Sequence, residues 1–254
     1  MSSDRPKAFP TPLPRLEPNT FTFEQWPMVK PTGFREYDAR WLFPQEINLM
    51  GVQALGLGLG TLIHERGVRP DIVTGHDFRA YSSSIKLALI AGMQAAGLRV
   101  KDIGLALSPM AYFGQFALDC PCVAMVTASH NDNGWTGVKM GAERPMTFGP
   151  DEMGRLKEIV TRGEFRYRDG GAYEFVSDFA QVYFDDLVAR AKPVSRKLKV
   201  VAACGNGTAG AFAGDVLRAL GAEVIEMDCN LDNTFPKYNP NPEDHEMLDR
   251  KSVV

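Results

Sequence analysis

A serine followed by a histidine and an asparagine, at the end of an apolar run, is the arrangement in this chain best suited to chemistry. Val126-Thr-Ala-Ser-His-Asn131 continues to Gly134-Trp-Thr-Gly-Val-Lys-Met-Gly141. The run reads as a strand that delivers Ser129 to a loop. After a glycine turn, a second strand carries Lys139. A nucleophilic or phosphorylated serine needs this presentation: an exposed hydroxyl, donors nearby, and a cation for developing charge. The residue types alone also fit a polar loop, with His130 satisfying a backbone group and Lys139 solvated.

A second arrangement competes with it. Gly205-x-Gly207-x-x-Gly210 follows an apolar run and opens a helical pattern, and Glu226 and Asp228 lie further on. An acid about 20 residues after such glycines is the context of a dinucleotide-binding turn. A tight strand-to-helix turn that needs small residues explains the same pattern. Gly56-x-Gly58-x-Gly60 is a weaker signal, because it lies inside a helical pattern with no strand before it.

The elements that must hold these loops alternate. A helical face runs through Ile47, Met50, Ala54, Leu55 and Leu62, with Pro44 near its first turn. A strand follows over 71–75, then a helix with Ser82, Ser83 or Ser84 as its N-cap, stopped by Gly97. A strand over 98–104, a helix over 109–118 and a strand over 122–127 continue the series, and Pro150 opens another helix. This alternation predicts an α/β layer fold. Residues 163–174 are rich in glycine and charge and read as a linker or surface hairpin, with a domain boundary near 170. A helix over 177–191 capped by Ser177, a strand over 198–203, a helix to Leu220 and a strand over 223–227 form a second unit. Residues 1–20 are proline-rich and polar and read as a disordered tail.

Composition narrows the function classes. The 254 residues are 44% hydrophobic and 23% charged, and 28 Lys+Arg against 31 Asp+Glu give a formal net charge of −3. That balance predicts no nucleic-acid and no membrane-surface partner. The longest nearly apolar run, residues 54–63, is about half a membrane span. With no signal peptide and four sparse cysteines (Cys120, Cys122, Cys204, Cys229), the expectation is a cytoplasmic protein with reduced thiols.

Thr127-Ala-Ser-His-Asn131 with Gly137-Val-Lys139 resembles the phosphoserine loop of the α-D-phosphohexomutases, in particular the phosphomannomutase/phosphoglucomutase group. Phe34-Arg-Glu-Tyr-Asp-Ala-Arg40 resembles that family's F-R-x-Y-D-I-R-G segment. Gly75-His-Asp-Phe-Arg79 with Ser82-Ser83 resembles its G-x-D-x-R-x-S-S turn, and Ser108-Pro109 its helix start. Cys204-Gly-Asn-Gly207 and Phe235-Pro-x-x-Asn-Pro-Asn-Pro-Glu243 are similar to its second domain. Ala39, Trp41 and Asp132 stand where the family usually has isoleucine, glycine and proline. Trp41 is expected to crowd the loop that carries Arg40.

The resemblance implies a three-layer α/β/α phosphoglucomutase-like domain over 21–170, and an incomplete second domain of the same type over 171–254. It gives Gly205–Gly210 a non-nucleotide reading, as the second domain's first strand-to-helix turn. It implies an intramolecular phosphotransferase that interconverts hexose 1-phosphate and 6-phosphate through a phosphoserine and a bisphosphate. Ser129 would carry the phosphoryl group, Lys139 would move the sugar hydroxyl proton, and Arg40 would face the transferring phosphoryl. His130 and Tyr37 would position phosphate and substrate, with Asn131 also binding substrate. Asp77 and Arg79 would form a structural pair. The implied cofactors are Mg²⁺, with an oxygen of phosphorylated Ser129 as one ligand, and a hexose 1,6-bisphosphate primer. The implied partner is a mannose or glucose phosphate, since Thr127 favours this group over the phosphoglucosamine mutases. The family's Asp-Gly-Asp-Gly-Asp-Arg metal loop does not occur in the 254 residues. The polypeptide is therefore expected to be a non-catalytic, truncated fragment of a longer mutase. Asp249–Val254 match the translation of a common sequencing adapter and are expected to be foreign to the frame.

Overall fold

The computed structural model describes residues 9–192 and 196–238, with 241, 243 and 245. The elements are α1 (Phe21–Gln25), β1 (Ala39–Leu42), α2 (Leu49–Glu65), β2 (Asp71–His76), α3 (Ser82–Ala95), β3 (Arg99–Leu105), α4 (Ser108–Ala117) and β4 (Cys122–Val126). There follow β5 (Trp135–Gly141), α5 (Pro150–Arg162), β6 (Ala172–Phe175), α6 (Phe179–Arg190), β7 (Lys199–Ala203), α7 (Ala213–Ala219) and β8 (Glu223–Met227).

Among the described residues, six strands form one sheet in the order β1-β5-β4-β2-β3-β6, and β7 and β8 form a separate parallel pair. Strands β4, β2, β3 and β6 are parallel, while β5 runs antiparallel between β1 and β4. Alternate strand residues feed two cores, as a period of two requires. Ile72, Val100, Cys122, Ala124 and Val126 face the layer of α2, α3 and α5. Val73, Ile103, Val123 and Met125 face α4 and Phe179 of α6. The result is the three-layer α/β/α arrangement, with a smaller α/β unit after it.

Helix α2 sits at the centre of one layer, and its glycine spacing is a packing device. A methyl group on Gly56 would stand 2.2 Å from the Leu89 carbonyl oxygen of α3, and one on Gly58 2.5 Å from Val160 of α5. The helix begins at Leu49 rather than near Pro44, because Asn48 caps it: its Oδ1 accepts the N–H of Gly51 at 2.8 Å. The same oxygen accepts the Met28 N–H, and the Asn48 amide donates to the carbonyls of Phe23 and Trp26.

Other local expectations are corrected. The tail expected over 1–20 is packed where it is described: Phe9 is buried edge-on to Phe165, and the Leu13 and Val29 backbones are hydrogen-bonded. Residues 1–8 and 246–254, the latter including Asp249–Val254, lie outside the described residues. The expected linker contains β6, which pairs in parallel with β3, so the first sheet extends past residue 170. All four β6 residues are exposed, and the strand is only four residues long, directly after Gly170-Gly171, so it reads as part of a surface hairpin. Ser82 does not cap α3 but opens it, with its hydroxyl turned to Asp77. Ser177 does not cap α6, which starts after Asp178. Trp41 lies in the core, edge-on to Phe34 and donating to the Lys30 carbonyl, on the opposite face of β1 from Arg40.

Candidate active site

Open α/β sheets place their functional loops at the carboxyl ends of parallel strands. Here β2 delivers Asp77 and Arg79, and its neighbour β4 delivers Thr127 to Asn131. Ser129 has a φ of +58°, in the left-handed region that non-glycine residues seldom occupy. Its side chain is exposed, and its hydroxyl has no partner among the described residues.

The backbone on either side of the serine, in contrast, is held at several groups. The Thr127 carbonyl accepts from the Arg40 guanidinium. The Ala128 N–H donates to Asp77 Oδ2 at 3.0 Å, and the Ser129 N–H to Thr127 Oγ1 at 2.9 Å. Arg79 donates to the carbonyls of Asn131 at 2.5 Å and Asp132 at 2.9 Å. Asp77 is fixed in turn by the Ser82 hydroxyl at 2.5 Å and by Arg79 Nε at 3.6 Å. A strained backbone survives only where its surroundings over-determine it. These bonds supply that constraint and leave the serine hydroxyl uncommitted.

Ser129 opens on a cleft of about 510 Å³, bounded also by His130, Leu107, Thr208 and Phe235. The far wall comes from the glycine turn after β7. The two units touch across it: the Phe78 N–H donates to Thr208 Oγ1 at 2.9 Å, and the Asn133 amide to the Asn233 carbonyl at 3.0 Å. Burial holds the His76 ring below the ordinary imidazole pKa, and its Nδ1 lies 2.8 Å from the Asp77 carbonyl oxygen.

The structure brings some of the expected residues together and separates others. Ser129, His130 and Asn131 share the loop, and His130 is exposed at the cleft. Lys139 is half-buried on β5, paired in register with Met125, which borders the cleft; the Lys139 ammonium makes no hydrogen bond or ion pair among the described residues. Arg40 is only 4% exposed, and its guanidinium is committed to Asp38 at 2.7 and 3.0 Å and to the Thr127 carbonyl. It therefore holds the serine loop from behind rather than facing the cleft as an open cation. Tyr37, 62% exposed, borders a different hollow with Arg66, Glu143 and Glu152. The clamp formed by Arg79 on two carbonyls carried no sequence signal beyond the motif itself, because the acceptors are backbone atoms.

Among the described residues, no group of three or more His, Cys, Asp or Glu side chains could hold a metal ion. The cleft's own carboxylate, Asp77, is occupied by three donors from the protein. These residues do not form a Mg²⁺ site by themselves, and a phosphorylated Ser129 would add one ligand. The competing glycine turn is explained by chain geometry. Gly205 has a φ of +57°, a methyl on Gly210 would lie 2.1 Å from the Cys229 carbonyl oxygen, and a 3₁₀ turn (Thr208–Ala211) that contains Gly210 separates Gly205 and Gly207 from α7.

Two family models match the chain: Phosphoglucomutase/phosphomannomutase, alpha/beta/alpha domain I, over residues 31–167, and domain II of the same family over 181–253. A Pseudomonas syringae pv. tomato protein named "Phosphomannomutase/phosphoglucomutase" is 29% identical over 218 residues, covering 85% of this chain and 45% of that protein. A Methanocella arvoryzae protein named "Probable phosphoglucosamine mutase" is 34% identical over 212 residues, covering 82% of this chain and 45% of its own length. A crystal structure of a phosphoglucomutase/phosphomannomutase family protein from Burkholderia thailandensis superposes with a TM-score of 0.82 at 29% identity, covering 88% of this chain and 50% of that one. The chain spans about half the length of the curated relatives it matches.

Proposed function

The chain belongs to the phosphoglucomutase/phosphomannomutase family, and on that premise we propose that it is the serine-bearing part of a phosphohexomutase. One observation carries this reading: Ser129 is exposed and unpartnered on a loop whose surrounding backbone groups are held by Arg40, Asp77, Thr127 and Arg79. Phosphoryl transfer depends mainly on positioning and charge stabilisation, and a fixed loop with a free hydroxyl suits it.

In the proposed reaction Ser129 Oγ carries the phosphoryl group at rest. A hydroxyl of a hexose phosphate attacks the phosphorus, the bond to Oγ breaks, and a hexose 1,6-bisphosphate results. Reorientation of that bisphosphate and transfer of its other phosphoryl back to Oγ complete the exchange between 1-phosphate and 6-phosphate. Lys139, half-buried and without a partner, is the candidate to take the hydroxyl proton. His130 and Asn131, on the same loop, would meet the phosphate or sugar. Arg40 acts behind the loop, on the Thr127 carbonyl. Mg²⁺, held in part by a phosphorylated Ser129, would neutralise phosphate charge. Cysteines without a disulfide bond suit a reducing cytoplasm.

Incubation with glucose 1,6-bisphosphate followed by intact mass spectrometry tests the reading. A gain of about 80 Da, the mass of one phosphoryl group, is expected, mapping to Ser129 and missing in Ser129→Ala. An unsubstituted chain with no such heavier species, before or after incubation, would sink it. A second reading, in which this polypeptide presents the serine but does not turn over substrate alone, rests on its covering about half of its relatives. A coupled phosphoglucomutase assay with Mg²⁺ and the bisphosphate primer separates the two, since steady turnover excludes the second.

A further inference from the structure

The clamp on the serine loop does not end within the first unit. The Arg79 guanidinium, which holds the carbonyls of Asn131 and Asp132, lies 5.4 Å from the centroid of the Phe235 ring. Phe235 sits at φ +50°, an unusual conformation for a bulky side chain. A tight turn holds it there. The Phe235 N–H donates to the Asp232 carbonyl, and Thr234 donates to Asp232 Oδ1 from both its N–H at 3.0 Å and its hydroxyl at 2.7 Å. The turn is tied to the glycine loop, since the Asp232 N–H donates to the Asn206 carbonyl at 3.0 Å. Beside it, the Asn133 amide of the serine loop donates to the Asn233 carbonyl.

From this continuous path we infer that Arg79 is a positioning residue for Ser129, and that the turn Asp232–Phe235 of the second unit sets where Arg79 holds the loop. This inference rests on Ser129 being the phosphoryl carrier. Arg79 is 5% exposed, and the Phe235 ring brings the second unit to its guanidinium. The left-handed Ser129 backbone lies between two fixed points, Ala128 on Asp77 and Asn131–Asp132 on Arg79. Loosening the second point frees the serine to leave its strained geometry. Phosphoryl uptake is thereby coupled to the seating of the second unit against the first.

The test compares the unsubstituted 254-residue chain with Phe235→Leu, Phe235→Tyr and, as an independent exposed site, Asn133→Ala. Phe235→Leu keeps an apolar side chain but removes the ring face; Phe235→Tyr keeps it. The first readout is backbone hydrogen exchange of the peptide spanning 128–134, with peptides from α2 and β2 as internal controls. The second is the rate of phosphoryl uptake from glucose 1,6-bisphosphate. Phe235→Leu should raise exchange at 128–134 and slow uptake by about threefold, the scale of one lost cation–π contact. Asn133→Ala should act in the same direction, and Phe235→Tyr should restore both readouts, with the control peptides unchanged throughout. Unchanged exchange at 128–134 in both Phe235→Leu and Asn133→Ala overturns the inference. So does faster exchange with uptake as fast as in the unsubstituted chain. If that chain takes up no phosphoryl group, the carrier reading fails, while the exchange data still decide whether the turn holds the loop.

Discussion

Asp77 Oδ2 accepts the N–H of Ala128 at 3.0 Å, directly before Ser129. The same carboxylate accepts the Ser82 hydroxyl and stands beside Arg79. Asp77→Asn replaces one acceptor oxygen with a donor that faces donors. It should lower stability by about 2 kcal/mol, because a buried group is left unsatisfied. Asp77→Ala should cost more, about 3–5 kcal/mol, because Arg79 is left buried without its carboxylate. Urea midpoints measure both, and equal midpoints for all three proteins would contradict this role.

A methyl group on Gly92 would stand 2.0 Å from the Gln53 carbonyl oxygen, and one on Gly56 would stand 3.1 Å from the Gly92 Cα. Helices α2 and α3 therefore meet backbone to backbone. Gly92→Ala should destabilise by about 1–3 kcal/mol through overpacking, despite the better helix propensity of alanine. Gly154→Ala is the contrast. That glycine is exposed in α5 with no neighbour within 4 Å, and the change should stabilise by up to about 1 kcal/mol. Thermal or urea unfolding of the two variants should move in opposite directions.

Acid should weaken the fold through its histidines before its carboxylates titrate. Burial is the main cause that lowers the His76 and His64 pKa values from 6.5. Below that value the unfolded chain binds a proton that the folded chain resists, so stability declines as pH falls. The contribution is intact above about pH 6.5 and is lost as pH drops through the folded-state pKa values. His76→Gln should flatten the stability profile between about pH 7 and 5. A profile with the same slope as the parent would show that His76 carries none of it.

Burial pushes the Cys120 thiol up to about 11 and the Cys122 thiol up to about 12. The thiolate is the nucleophile, so both should resist alkylation in the folded protein at pH 8. Iodoacetamide labelling read by peptide mass should modify them only with denaturant present. Rapid native labelling of either would contradict their burial.

The strands and helices of the first unit were legible because each strand is an apolar run set between helical patterns. Val123 and Met125 face one core while Cys122 and Ala124 face the other, so β4 reads as continuously apolar. The serine loop was legible from its motif. Its clamps were not, because Arg79 and Arg40 grip carbonyl oxygens, which every residue possesses. Strand β6 was hidden because it has only four residues, all exposed at a sheet edge, in a stretch dominated by glycine and charge. The start of α2 was misplaced because Pro44 is a strong helix-start signal, whereas Asn48 caps through contacts with Phe23, Trp26 and Met28 far back in the chain.

Phe9 rests on Phe165, and Gly163 is packed against Thr11. A chain made from its N-terminus exposes Phe9 first and its partner roughly 150 residues later; at a typical 5–20 residues per second that is a wait on the order of ten seconds. During that time the central helix and its neighbours can assemble without the leading segment. The segment then closes over a layer already in place, so its docking marks the end of the first unit's synthesis rather than its beginning.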